Sequence, residues 1–186
     1  ASKTITSYIA ANNYCTSDTI PGQAASINGT GNYAQTPVIA LGTTNTVTLA
    51  AWIKIETAQP SFAGIVFTAN GSATGLNFRN GNQIGYHYND LSSTYNYAGG
   101  PTIPLGLWVH VALVTTASNA TIYVNGVPYV NNVANTAINF SSGFNLGNDR
   151  NNTARTMIGQ MDEVCFYNRA LSQNEIRELM DLVKNY

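Results

Sequence analysis

Between residues 86 and 97 the chain gathers Tyr86, His87, Tyr88, Asn89, Asp90, Tyr95, Asn96 and Tyr97. These two kinds of side chain suit one kind of ligand. The CH faces of a sugar pack on aromatic rings, while amides and carboxylates hydrogen-bond its hydroxyls. Alternation from Ile84 puts Tyr86 and Tyr88 on one face of a strand and His87 and Asn89 on the other. One of those faces must be core, and tyrosine packs in cores with its hydroxyl at the edge. The residues therefore leave two readings open, a ligand platform or plain packing. Residues 148–155 (NDRNNTAR) form a second candidate, in which Asp149, Arg150 and a further arginine suit an acidic sugar.

Other chemistry is sparse. Outside the C-terminal region the acidic residues Asp18, Glu56, Asp90 and Asp149 are isolated, and no strand presents two carboxylates at i and i+2. A glycosidase needs an acid and a second carboxylate facing one bond, so the expectation is a non-catalytic protein. Nucleophile-elbow and phosphate-loop patterns are missing. His87 and His110 are too few for a histidine-based zinc site, and His110 reads as a hydrogen-bonded sheet residue. Eight Lys and Arg against nine Asp and Glu give a net charge of -1, which argues against nucleic acid as a partner. No apolar run approaches the ~20 residues needed to cross a bilayer, so membrane insertion is not expected. With no basic-then-apolar stretch at Ala1, the expectation is that any signal peptide has been removed or was never present.

The elements that must position these residues are short and punctuated by Gly, Asn and Pro. Residues 47–55 (VTLAAWIKI) and 108–115 (WVHVALVT) alternate with period two. Further strands are expected at 64–68, 75–78, 83–88, 121–124, 127–130, 137–140, 144–146 and 156–166. Asn125-Gly126 is the strongest hairpin signal, because both central positions of a type I′ turn need positive φ, and Asn80-Gly81 is a second such pair. Short strands at this spacing point to an antiparallel sandwich or jelly roll. One helix is expected, from Gln173 to about Lys184. Ser172 and Glu175 make its capping box, Leu171 staples onto Ile176, and Ile176, Leu179, Met180 and Val183 form its apolar stripe. The 186 residues read as one domain, with 1–20 either an edge strand or a join to an upstream domain. Many Asn, Thr and Tyr with few charges suit an extracellular β protein. Cys15 and Cys165 are the only cysteines, and spacing leaves a bridge and two free thiols both open.

Several segments, in order, resemble the laminin-G-like, concanavalin A-like jelly rolls. They are 26–33 (SINGTGNY), 48–54 (TLAAWIK), 108–112 (WVHVA), 120–126 (ATIYVNG) and 158–171 (IGQMDEVCFYNRAL), followed by Ser172 and Glu175. The resemblance covers about residues 24–183. It implies an all-β, two-sheet antiparallel jelly-roll sandwich with one short C-terminal α-helix and with the chain termini close together, which favours a Cys15–Cys165 bridge. It also implies a structural Ca2+ held by Asp162 with carbonyls of the first-strand turn at Asn28 and Gly29. The alternative is that Asp162 accepts backbone hydrogen bonds with no metal. Relatives that hydrolyse polysaccharide cluster carboxylates on one strand, a pattern absent here. The function expected is a non-catalytic, lectin-like carbohydrate-binding module of a secreted or cell-surface protein, part of a larger multidomain chain with glycan or polysaccharide as partner. A protein–protein adhesion or spacer domain is the alternative, and a hydrolase or lyase comes third. The ligand residues expected are Tyr86, His87, Tyr88, Asn89, Asp90, Tyr95, Tyr97, Asp149 and Arg150.

Overall fold

The computed structural model describes residues 4–7, 13–17, 24–29 and 31–183, with side chains for 24–29 and 31–181. Among them the strands are β1 (Thr4–Ser7), β2 (Asn13–Ser17), β3 (Ala25–Asn28), β4 (Ala34–Gln35), β5 (Thr43–Thr44), β6 (Thr48–Ile55), β7 (Gly64–Thr68) and β8 (Gly75–Asn80). They continue with β9 (Gln83–His87), β10 (Trp108–Thr115), β11 (Ala120–Val124), β12 (Val127–Asn131), β13 (Ile138–Asn139), β14 (Phe144–Leu146) and β15 (Ile158–Tyr167). A one-turn helix, α1 (Ser92–Tyr95), follows β9, and α2 (Gln173–Val183) ends the described chain.

Two antiparallel sheets face each other. The larger runs β1-β2-β15-β6-β10-β11-β12, with β3 also pairing β15, and the smaller runs β4-β14-β7-β8-β9. Period-two alternation decides what lies between them. Leu49, Ala51, Ile53 and Ile55 of β6 and Val109, Val111 and Leu113 of β10 point inward, where they meet Val66, Leu76, Phe78, Ile84 and Tyr86 of the smaller sheet. Phe144 and Phe166 close that core at 4.7 Å between ring centres. The Asn125-Gly126 turn takes φ of 48° and 74°, which is the positive pair that the β11–β12 hairpin needs. The β8–β9 turn places only Gly81 at positive φ, and a register shift at Phe78/Asn80 absorbs the difference.

The larger sheet is covered on its outer face as well. Ala50, Ala112, Val114, Tyr123 and Cys165 meet Leu171 and Ile176, so α2 lies against the far side of β6 and β10. The Ser172 hydroxyl and Glu175 carboxylate bond each other at 2.9 Å. The same carboxylate accepts the Ser172 N–H at 2.8 Å, fixing where the helix starts. Cys165 is buried and disulfide-bonded, and the β2–β15 register sets it opposite Cys15, the chain's other cysteine. One residue interrupts β15. Met161 pairs Ile53 and Asp162 pairs Trp52, but Cys165 pairs Ala50, so two residues oppose Ala51. Glu163, at φ 46°, is the inserted residue of this bulge. Strict alternation back from Val164 would turn Asp162 into the core. The bulge instead sets it beside Trp52, on the outer face.

The covering helix makes a stability prediction. Ile176 is fully buried. Ile176→Ala should cost about 2–5 kcal/mol in denaturant unfolding, and Ser172→Ala only about 1 kcal/mol. Equal losses from the two variants would mean that the cap, not the docked face, holds α2 in place.

Candidate functional site

The outer face of the smaller sheet carries a row that crosses all five strands. Register aligns Gln35, Asn145, Phe67, Gly75 and His87 on β4, β14, β7, β8 and β9. Gly75 is the gap in this row. A Cβ there would lie 2.7 Å from Phe67 Cδ2 and 2.2 Å from the Val66 carbonyl oxygen. Its absence lets the Phe67 ring reach His87, edge-on at 5.4 Å. Gly85 works in the same way one pair along: its missing Cβ leaves room for the Asn77 and Arg79 side chains, which would stand 3.0 and 2.9 Å from it. The Asn77 amide then donates to His87 Nδ1 at 2.9 Å, leaving the ring proton on Nε2.

Three loops close over this row. The first carries Phe62 at φ 62°, a left-handed conformation rare for an aromatic residue. Gln59 pins it, donating to the Thr57 and Ile158 carbonyls and accepting the Ile158 N–H at 2.7 Å. Phe62 lies tilted at 37° against His87 with ring centres 5.6 Å apart, and meets Tyr95 at 6.5 Å and 88°. The second loop leads into α1, whose last residue, Tyr95, lies 5.3 Å from His87. Asn89 and Asp90 at its start take φ of 51° and 56°. The third loop crosses Gly64, where a Cβ would collide with the Asn148 and Asp149 backbone at 2.2 Å. That close approach buries Asp149 completely. Asp149 Oδ2 accepts from Arg155 Nη1 at 2.8 Å, and the Arg155 guanidinium lies 5.0 Å above the Phe62 ring.

Electrostatics follow burial. His87 is pushed down to about 4, chiefly by burial, with Asp90 pulling it up and Arg155 pushing it further down. Burial raises the Asp149 carboxyl while its hydrogen bond and charge pairing with Arg155 oppose the shift. The site is thus a buried layer of His87, Asn77, Asn145 and Asp149 beneath a half-buried surface of Phe62, Tyr95 and Arg155.

Several expected residues do not reach the ligand side. Tyr86 and Tyr88 are 1% and 0% exposed, because their face of β9 is the core face. The Tyr86 hydroxyl accepts from the Asn131 amide at 2.8 Å, and that of Tyr88 donates to the Thr136 carbonyl at 2.7 Å. Tyr97 packs on Tyr86 and donates to the Val130 carbonyl. These three tyrosines tie the β9 side of the small sheet to β12 and its following loop, which corrects their assignment as sugar platforms. His87 and Asp149 lie in the buried layer and act through Phe62, Tyr95 and Arg155. Asn89, Asp90 and Arg150 stand on the rim, Arg150 at φ 32°. Phe62, Phe67, Asn77, Asn145 and Arg155 complete the site from other strands and loops. Their signal in sequence was the glycines at 64, 75 and 85 inside strands, which mark close approach.

The expected calcium ligands are also separated. Asn28 pairs Ile158, whereas Asp162 lies four residues further along β15, about 13 Å away at ~3.3 Å per residue. Gly29 is buried next to Asn28, and Asp162 Oδ1 accepts the Glu163 N–H at 2.8 Å. The β3–β15 register thus keeps Asp162, Asn28 and Gly29 from sharing one ion. Asp149 has its charge partner in Arg155. Among the described residues no three of His, Cys, Asp and Glu gather around one point.

A family model described as the concanavalin A-like lectin/glucanases superfamily matches residues 28–177. Domain 4 of AbnA, a GH43 extracellular arabinanase from Geobacillus stearothermophilus solved in complex with arabinotriose, superposes with a TM-score of 0.60 at 21% identity. The match covers 85% of this chain and 76% of that one. Trypanosoma rangeli sialidase in complex with the inhibitor DANA gives 0.65 at 21% identity, over 92% of this chain but 30% of the sialidase. The native heptameric SAP-like pentraxin from Limulus polyphemus gives 0.62 at 18% identity, over 82% and 78%. At these identities the likeness is one of fold. No curated protein sequence matches the chain.

Both histidines are buried neutral, since His110 is also pushed down to about 4 by burial. Folded values below the usual 6.5 mean that the unfolded chain binds more protons in acid. The stability from neutral histidine is therefore complete above about pH 6.5 and falls as the pH drops towards 4. Denaturant titrations should show roughly 2–3 kcal/mol lost per histidine between pH 7 and 4.5. NMR titration of either imidazole near 6.5 in the folded protein would rule this out.

Proposed function

The chain belongs to the concanavalin A-like lectin/glucanases superfamily, and we propose that it is a non-catalytic carbohydrate-binding module that holds glycan on the outer face of its five-stranded sheet. The observation that carries this reading is the Phe62–Tyr95 corner. Two half-buried rings set at 88° meet there, with neutral His87 against both and the Arg155 guanidinium 5.0 Å over the Phe62 ring. Sugar CH groups pack on such rings, and Arg155, Asn89 and Asp90 at the edge offer donors and acceptors for hydroxyls. A non-catalytic role is supported by Asp149, the carboxylate at the base. It is sealed from solvent and held by a guanidinium, an arrangement that fixes a charge in place and does not pass a proton. The arabinotriose complex of the AbnA domain supports glycan as the ligand class. Secretion or display at a cell surface, within a larger multidomain protein, suits such a module.

An adhesion or spacer domain is favoured by a different observation. Tyr86 and Tyr88 are buried, while Leu105, Leu107 and Trp108 stand 49%, 59% and 39% exposed at and beside the start of β10. The two readings place their partner on opposite sheets, so paired variants separate them. Phe62→Ala and Tyr95→Ala should each weaken binding to an immobilised plant and bacterial polysaccharide panel at least tenfold, with Trp108→Ala unaffected. Loss of binding with Trp108→Ala alone, or no glycan bound by the parent protein, would overturn the assignment.

A further inference from the structure

The larger layer mixes both signs of charge, with Lys54, Arg169 and Arg177 among its carboxylates. Five of the nine acidic residues, Asp162, Glu163, Glu175, Glu178 and Asp181, lie on β15 and α2 of the larger layer. Three of the eight basic residues, Arg79, Arg150 and Arg155, belong to the outer face of the smaller sheet and the loops over it. They are met there by Asp149 and by the exposed Asp90. Arg155 is committed to Asp149 through one nitrogen, and its side chain remains 34% exposed.

Arg79 has no such partner. It follows Asn77 by two positions on β8, and both side chains occupy the space beside Gly85, so it shares the face of Asn77 and His87. Two residues along a strand is about 6.6 Å. Its Nε is buried with no hydrogen-bond partner, and among the described residues no carboxylate forms an ion pair with it. Buried guanidinium nitrogens are normally satisfied, because leaving one unpaired costs the desolvation of a charged group. Arg79 as a whole is only half-buried, so its guanidinium stands on the same face as the aromatic corner with no protein acceptor at Nε. The guanidinium fork matches a carboxylate with two parallel N–H···O bonds, a fit that neither a hydroxyl nor a compact ammonium reproduces.

We propose that the glycan taken by this face is carboxylated, its sugar ring packing on Phe62 and Tyr95 and its carboxylate reaching the Arg79 guanidinium, with Arg155 and Arg150 adding positive charge at the rim. This rests on the glycan-binding reading above. It places the selectivity in Arg79, which no folded-state ion pair requires, and not in Arg155, which the buried Asp149 needs.

The test compares one oligosaccharide with and without its charges. Isothermal titration of the full chain with tetragalacturonate and with its methyl ester should show at least tenfold tighter binding of the acid at 0.1 M salt. Arg79→Gln should erase that difference and leave the thermal midpoint unchanged, whereas Phe62→Ala should weaken both ligands. 3′-Sialyllactose against lactose gives a second carboxylate source, and a κ-carrageenan hexasaccharide, which carries sulfate and no carboxylate, separates carboxylate from sulfate. Equal affinity for acid and ester, unaltered in Arg79→Gln, overturns the carboxylate while leaving glycan binding intact. Preference for the carrageenan hexasaccharide alone overturns it in favour of sulfate. Binding of neither charged nor neutral sugars overturns the glycan reading together with this one.

Discussion

Strands β6 and β10 are buried on both faces, and the rest of the molecule is arranged around that requirement. Their inward residues form the inter-sheet core with β7, β8 and β9, and their outward alanines and Val114 accept helix α2. A strand pair covered on both sides cannot tolerate a register slip, since one residue of shift would exchange Ile53 for Trp52 across the whole sheet. The bulge at Glu163 meets this constraint from the neighbouring strand. It lets β15 keep both Met161 and Val164 in the core while Cys165 turns outward beneath α2. The position of α2 and the burial of Cys165 follow from the same alternation. The outer face of the smaller sheet is buried too, but beneath loops and not a helix, and it is free to carry polar and aromatic groups.

That freedom explains which parts of the protein could be read directly from its residues. Period-two runs and the Asn125-Gly126 turn specify the long strands, because pleat geometry and positive φ are local properties. The Ser172–Glu175 capping box and the Leu171–Ile176 contact are local for the same reason. The candidate site is not local. Its row joins residues 35, 145, 67, 75 and 87, and only strand order places them side by side. Within β9, alternation correctly separated Tyr86 and Tyr88 from His87, but it could not say which face met the larger sheet. Hydroxyl partners on Asn131 and Thr136, far away in sequence, settle that choice in favour of the core for the tyrosines. The expected calcium ligands stand apart for a related reason. Asp162 and Asn28 lie on paired strands, yet pairing fixes separation along the strands as firmly as adjacency across them.

The site itself is expensive in stability, and that expense bears on its purpose. A left-handed Phe62 costs on the order of 1–3 kcal/mol of backbone strain, and Asn89, Asp90 and Arg150 share the same region of φ. Beneath them, Asn77, His87, Asn145 and Asp149 are polar groups removed from water on a sheet face where apolar side chains would pack at least as well. Packing alone gives no reason for this combination. What it produces is rigidity: the His87 ring is fixed by the Asn77 amide, the Arg155 guanidinium by Asp149, and the Phe62 loop by Gln59. Groups held in place before a ligand arrives lose little conformational freedom on binding, which raises affinity without enlarging the contact. A surface built to be covered by a neighbouring domain would gain nothing from such fixing, because apolar area alone would serve. The strain and the buried polar layer therefore favour the proposed glycan-binding role, in which a face selects its partner by the positions of individual atoms.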